Sequence, residues 1–397
     1  MSWKGYSFSY ILLCIIALLV MSGTSLLTPL ISIFAKQIGA TGVVIGFAVA
    51  GYWVSRVLLE IPSGFISHKF GYYRTMVLGL ILTVLGGILC AFVANPLQLV
   101  LGRALMGLGA PLFFATATTL VLNLFDSDRR GGAMGVFQGI EFVGTILGST
   151  FSGYIVTMFD FNMSFLLSSS MVVAALALLT LPPYIRAESK EQVARSFLSL
   201  STMKEVLWNR SLLIVSSATF AEFIMSSGII MTVFPLYANE ELGFTLTSIG
   251  LLMGARSVGF VVSMFTMGAI SDRIGRRPVL LFGLAATSVL LFTMSFIGSF
   301  IGLASIIFLI GITTGAIWIV CPVLAAEAVL PHQRGAAIGT YRTFFDLGSI
   351  LGPIVMSGVM ESVGISVCFY IASGLLLANL IPTLSLRERA TVIASAS

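Results

Sequence analysis

GFISHKFGYYR, residues 64–74, breaks a chain that otherwise reads as hydrocarbon, and GAISDRIGRRP, residues 268–278, repeats the break. Gly64, Ser67 and Gly71 return as Gly268, Ser271 and Gly275, each displaced by 204 positions. The same displacement carries RRGGAMG (129–135) onto QRGAAIG (333–339), Gly107 onto Gly311, and Gly144 and Gly148 onto Gly348 and Gly352. Several anchors at one offset define an internal duplication. It divides the chain into residues 1–185 and 210–397, joined by a charge-rich linker, 186–209.

The material between the breaks is apolar. Of 397 residues 57% are hydrophobic and 9% charged, with a mean hydropathy of +1.05, whereas a soluble domain carries about 25% charged residues. Twelve apolar runs, near 8–35, 42–67, 75–94, 97–124, 131–158, 162–181, 211–238, 246–270, 278–299, 301–328, 335–360 and 364–384, match the ~20 residues a spanning helix needs. No run alternates with period two, which argues against a β-barrel. The expected fold is an all-α membrane protein with twelve transmembrane helices in two pseudo-symmetric six-helix bundles. The first run follows Lys4 as a signal peptide would, but continues to Phe34. That is too long for a signal h-region, so it is read as a retained helix.

Lys and Arg in the loops set the orientation. Sixteen fall on the side of the two termini, against Lys36 alone on the other, which also holds Asp160, Glu240, Glu241 and Glu361. Both termini are therefore expected in the cytoplasm, in a multi-pass protein of the cell membrane. The net charge of +5 is a topology signal and gives no ground for a nucleic-acid partner. In the linker, SFLSLSTMKEVLW (196–208) is read as a short amphipathic helix on the inner surface. Cys14, Cys90, Cys321 and Cys368 lie inside apolar runs without a CxxC pair. They read as small core residues, and no metal or cofactor is expected.

Eight charges fall within the runs: Arg56, Glu60, Arg103, Glu141, Glu222, Arg256, Arg342 and Asp346. Each would cost roughly 2.5–3.5 kcal/mol facing lipid at mid-depth, so they must pair or line a wet cavity. Arg56/Glu60 and Arg342/Asp346 are spaced i,i+4 and share a helix face. The first is read as a structural ion pair. Arg103, Arg256, Glu141 and Glu222 have no partner within a turn. Glu141, Asp346 and Glu222 are the candidates for proton coupling, because a carboxylate held in the membrane can load and release a proton. Arg103, Arg256 and Arg342, with the mid-span Trp53 and Trp318, are the candidates for the substrate cavity; the two tryptophans read equally well as helix packing. Glu327 is expected beside the inner loops, with Arg334 as its partner.

These motifs resemble those of the major facilitator superfamily, over nearly the whole chain. Gly268-Ala-Ile-Ser-Asp272-Arg273-Ile-Gly275-Arg276-Arg277 matches that family's loop between helices 2 and 3, G-x-x-x-D-[RK]-x-G-[RK]-[RK]. The first copy departs from it: His68 stands at the acid, and Tyr72 and Tyr73 at the basic pair, with Arg74 following. Arg103-x-x-x-Gly107-x-Gly109-Ala110 resembles the family's helix 4 motif. Gly135, Gly144 and Gly148 resemble a helix 5 motif of exporters and antiporters, whose proline is Ser149 here. The helix 11 copy, Gly339, Gly348 and Gly352-Pro353, keeps the proline. The resemblance implies alternating access about a central site, with the loop motifs and glycine helices as conformational gates.

The physics of the motifs stands beside that resemblance. Gly71 and Gly275 permit a turn that a side chain would obstruct. Asp272 is able to latch a neighbouring helix N-terminus, whereas His68 does so poorly and offers a pH-sensitive position or a plain surface one. Gly135, Gly139, Gly144 and Gly148 share one helix face, which reads as a sliding surface between the halves or as ordinary packing.

The chain is read as a secondary transporter, free of nucleotide motifs of the G-x-x-x-x-G-K-[ST] type, exporting amphipathic or drug-like small molecules in exchange for protons, as a monomer in the lipid bilayer. An anion symporter and a lipid flippase stand as alternatives. With no H-E-x-x-H, no G-x-S-x-G and histidines only at 68 and 332, an enzyme is not expected.

Overall fold

The computed structural model describes residues 7–188, 208–330 and 333–386, apart from a few side chains that include His68. Helices begin where a capping residue meets an apolar run. Ser7, Asn95, Asn209, Thr245 and Ser299 each accept a hydrogen bond from the amide three residues on, satisfying a donor that the first turn leaves orphaned. Among the described residues there is no strand.

The helices, in chain order, are α1 (Phe8–Gln37), α2 (Val43–Phe70), α3 (Tyr72–Ala91), α4 (Pro96–Asn123), α5 and α6 (within Ser127–Thr180), α7 (Arg210–Glu241), α8 (Leu246–Ile274), α9 (Arg276–Met294), α10 (Phe300–Glu327), α11 (Arg334–Val363) and α12 (Ile365–Leu384). Helices α5 and α6 run on from each other except at Asp160, at φ 61° and ψ 178°. That pair of angles lies in a region otherwise kept for glycine, and the Asp160 carboxylate accepts from the Met163 amide at 2.9 Å to start α6. The twelve expected spans are thus present. Pro29 marks a 3₁₀ turn in α1, Thr28–Leu30, and α7 leaves α-geometry for a π-helical stretch, Ile224–Val233, beyond Glu222. The expected amphipathic segment 196–208 lies almost wholly outside the described residues.

The duplication governs the packing. Gly107 of α4 lies so close to the Tyr52 carbonyl of α2 that a β-carbon would collide with it, and Gly311 of α10 lies in the same way against the Arg256 carbonyl of α8. All four positions obey the 204-residue displacement. The loop glycines obey it too: Gly71 (φ 87°) and Gly275 (φ 95°) each end a helix, with the amide bonded to Ser67 and Ser271 respectively. These φ values suit glycine, as the sequence requires.

The loops rich in Lys and Arg define one end of the molecule, here the basic end; the opposite is the far end. At the far end the two six-helix bundles close on each other. Gly46 of α2 packs against Pro353, Ile354 and Ser357 of α11, and Gly250 of α8 packs against Thr150, Ser152 and Gly153 of α5. Gly46 and Gly250 are again 204 apart. Lys36 bonds Glu240 at 2.6 Å, joining α1 to α7 across a sequence separation of 204, so this ion pair links equivalent positions of the two bundles. At the basic end the bundles part. Around Gly131, Gly132, Gly135 and Gly139 of α5, Gly64 of α2 and Gly339 of α11, no described atom lies within 4 Å of where a β-carbon would stand.

This arrangement corrects the reading of the helix 5 glycines as one sliding face. Gly144 and Gly148 pack on Leu18 and Ser22 of α1, inside their own bundle, while Gly135 and Gly139 meet open space. Gly348 and Gly352 likewise pack on Phe220 and Ile224 of α7, again within one bundle. Close backbone approach in a membrane favours small residues wherever helices cross. The pattern therefore located tight crossings without revealing which helix lay on the other side.

Candidate functional site

The cleft that opens at the basic end reaches a layer of charged and aromatic side chains midway along the helices. On α2, Trp53, Arg56 and Glu60 fall on one face at helical spacing, and on α11 Arg342, Phe345 and Asp346 do the same. Arg56 Nε donates to Glu60 Oε2 at 3.3 Å, the intrahelical pair the sequence suggests. Glu60 Oε1 then accepts from Arg342 Nη1 of the other bundle at 2.7 Å. The expected Arg342–Asp346 pair is accordingly absent. Arg342 has Asp346 one turn along its own helix and reaches the carboxylate from α2 instead.

Asp346 and Glu141 of α5 complete the cluster. Each feels the charge of Arg56, and Asp346 also those of Glu60 and Arg342. Neither carboxylate accepts a hydrogen bond from a described residue. Two guanidinium groups bonded to Glu60, with Glu141 and Asp346 within electrostatic reach, leave one negative charge in excess when all are ionised. Asp346 is buried, at 7% exposure, and Glu141 is half-buried.

Aromatic rings connect these charges across both bundles. The Trp53 ring lies 5.8 Å from Phe345, which lies 3.9 Å from Phe223 of α7 and 5.7 Å from Trp318 of α10. Trp318 lies 6.1 Å from Phe260 of α8, and Phe260 lies 5.4 Å from Phe142 of α5. The two tryptophans therefore belong to a belt that begins and ends in the first bundle and passes through the second. Two of its members adjoin carboxylates in sequence: Phe142 follows Glu141, and Phe345 precedes Asp346. Sequence reasoning found Trp53 and Trp318 but missed Phe142, Phe223, Phe260 and Phe345. Thirty phenylalanines gave no signal to choose these four.

The remaining candidates lie apart from this cluster. Glu222 of α7 is buried at 4% exposure within electrostatic reach of Arg256 of α8, and Arg256 donates to Ser226 at 2.7 Å. This is a second, self-neutral group inside one bundle. Arg103 of α4 is 3% exposed, with its guanidinium 5.1 Å from the Tyr52 ring centre and its Nε without a hydrogen-bond acceptor.

Among the gate candidates, Gly64, Arg74, Asp272 and Arg273 are exposed at the basic end. Asp272, at the end of α8, contacts Arg276, the first residue of α9, at 3.7 Å, and no other basic group among the described residues within 4 Å. Gly268 is open save for Ile319 at 4.0 Å. Arg276 also pairs with Glu327. The expected partner of Glu327 was Arg334, but Arg276 is brought alongside α10 by the turn at Gly275. Cys14, Cys90, Cys321 and Cys368 are all free and buried.

Twelve membrane-length helices in two bundles about a charged cleft are the architecture of a secondary transporter. The chain belongs to the Major Facilitator Superfamily, which it matches over residues 13–227 and again over 221–395. It is 23% identical over 375 residues to Multidrug resistance protein 2 of Bacillus subtilis, covering 92% of either chain. It is 25% identical over 358 residues to the multi-drug resistance efflux pump PmrA of Streptococcus pneumoniae, covering 88% of either chain. In fold it is similar to the nucleoside transporter NupG, with a TM-score of 0.79 at 15% identity, over 96% of this chain and all of that one.

Proposed function

We propose that this protein exports amphipathic organic cations across the cell membrane in exchange for protons. The observation that carries the reading is the charge count in the cleft. One negative charge in excess accepts one proton or one monovalent cation, and either leaves the cluster neutral. In a low-dielectric site an unbalanced charge is costly, so loading with one ion opposes loading with the other. The aromatic belt supplies the apolar surface that an amphipathic cation needs. The multidrug-resistance relatives support export of drug-like molecules.

In this reading the basic end faces the cytoplasm, as the bias in Lys and Arg implies, and both termini lie there. The protein works as a monomer of two bundles, 1–185 and 210–397, rocking about the central layer. The cleft is then open to the cytoplasm and sealed outside by Gly46, Gly250 and the Lys36–Glu240 pair. Rocking that opened the far end would break those contacts and bring the exposed faces of α5 and α11 together.

A second reading, uptake of an anionic metabolite with protons, rests on Arg103, a buried cation without a carboxylate partner among the described residues. Proteoliposomes with an internal pH dye separate the two. Organic cations should trigger proton movement in the parent protein and fail to do so in Glu141→Gln and Asp346→Asn, each of which makes the cluster neutral. Proton movement triggered only by organic anions would replace the export reading with the second one.

A further inference from the structure

The cleft already holds an organic cation of the protein's own. The Arg56 guanidinium carbon lies 5.2 Å from the Trp53 ring centre and 5.8 Å from that of Phe345, so one flat cation touches aromatic rings from both bundles. Its Nε–Glu60 contact, at 3.3 Å, is the one hydrogen bond from this guanidinium to a described residue. Glu141 and Asp346 lie within reach of the same charge. Aromatic rings on two sides, one bonded carboxylate at the edge and few fixed hydrogen bonds describe a seat for a planar delocalised cation. A guanidinium is weakly hydrated and stacks on rings, whereas an ammonium is compact and strongly hydrated.

We propose that Arg56 occupies the substrate's seat in the unloaded protein, and that the preferred substrates are planar cations of the guanidinium or amidinium type rather than ammonium ions. The inference rests on the reading of this cleft as a cation site. An arriving substrate takes the place of the guanidinium over Trp53 and Phe345, and Arg56 swings toward the open cleft, remaining near Glu60. Because Trp53 and Phe345 belong to different bundles, the occupant of the seat bridges them. Exchange of Arg56 for a mobile cation thus couples occupancy to the contact between α2 and α11.

The test is equilibrium binding to the full-length protein in detergent, read by tryptophan fluorescence and calorimetry, with butylguanidinium and butylammonium as probes. Removing the tethered cation in Arg56→Ala should raise affinity for butylguanidinium by roughly tenfold or more, given the strength of ring–cation contacts in a desolvated site. Butylammonium should gain far less. The gain should disappear when Asp346→Asn is added. Arg56→Met, which keeps the bulk of the side chain, serves if the alanine variant does not fold, and should show a smaller gain of the same sign. Equal affinity in parent and variant, or equal gains for both probes, would overturn the proposal. The assay uses no gradient, so a failure of proton-coupled export in liposomes leaves its outcome unaffected and separately readable.

Discussion

The two charge groups in the membrane are built in opposite ways. Arg56, Glu60, Arg342, Asp346 and Glu141 come from both bundles, carry an odd number of charges and reach the open cleft. Glu222 and Arg256 belong to one bundle and carry opposite charges, Glu222 buried and Arg256 half-buried and bonded to Ser226. A balanced group within a bundle needs nothing from outside and moves as part of a rigid body. An unbalanced group across the interface needs one more ion, and its contacts change when the bundles move. On the proposed function, transport coupling falls to the first group and stabilisation to the second, and Glu222, a candidate proton carrier from the sequence, is proposed to act structurally.

Substitutions can break this division. The largest effect is expected at the first group, where Asp346→Asn or Glu141→Gln should abolish proton-coupled exchange while the melting temperature in detergent stays near that of the parent. Glu222→Gln should do the reverse. It removes the opposing charge within electrostatic reach of Arg256, whose Nε has no acceptor among the described residues, and should lower the melting temperature. Thermal unfolding should register the loss, and exchange per folded molecule should persist. Coupling lost in Glu222→Gln with stability intact would reverse the assignment.

The seals at the far end sharpen the comparison from outside. A side chain at Gly250 would press on the Gly153 amide at 2.8 Å and the Thr150 carbonyl at 3.0 Å. Gly250→Val should therefore penalise the closed far end by ~1–3 kcal/mol, and Gly46→Val should act alike through α11. Labelling of Thr247→Cys by a membrane-impermeant thiol reagent from that side should rise in both. The smallest effect belongs to Lys36–Glu240, whose side chains are 45% and 35% exposed. Lys36→Ala should shift the same accessibility by less than about fivefold, since such pairs contribute about 0–1 kcal/mol.

Local features were legible in the sequence. Helix count, capping residues, the Gly71 and Gly275 turns and the Arg56–Glu60 pair all depend on neighbours within a few positions. Even the Lys36–Glu240 bridge was latent in the 204-residue displacement. What escaped were choices between partners far apart in the chain. Gly144 and Gly348 announced close helix crossings but not that the crossing helices were α1 and α7. Arg342 had Asp346 one turn away and took Glu60 from the other bundle. The belt from Trp53 to Phe142 passes through four further spans, and no periodicity within one helix encodes such a path.

The central claim is that the interface cluster accepts one positive charge at a time. The most direct test is uptake of a monovalent organic cation into proteoliposomes at a fixed pH gradient, with the membrane potential clamped by potassium and valinomycin. Exchange of one proton for one such cation moves no net charge, so accumulation should be independent of the potential. Accumulation that rises or falls steeply with the clamped potential would contradict the charge count and, with it, this account of coupling.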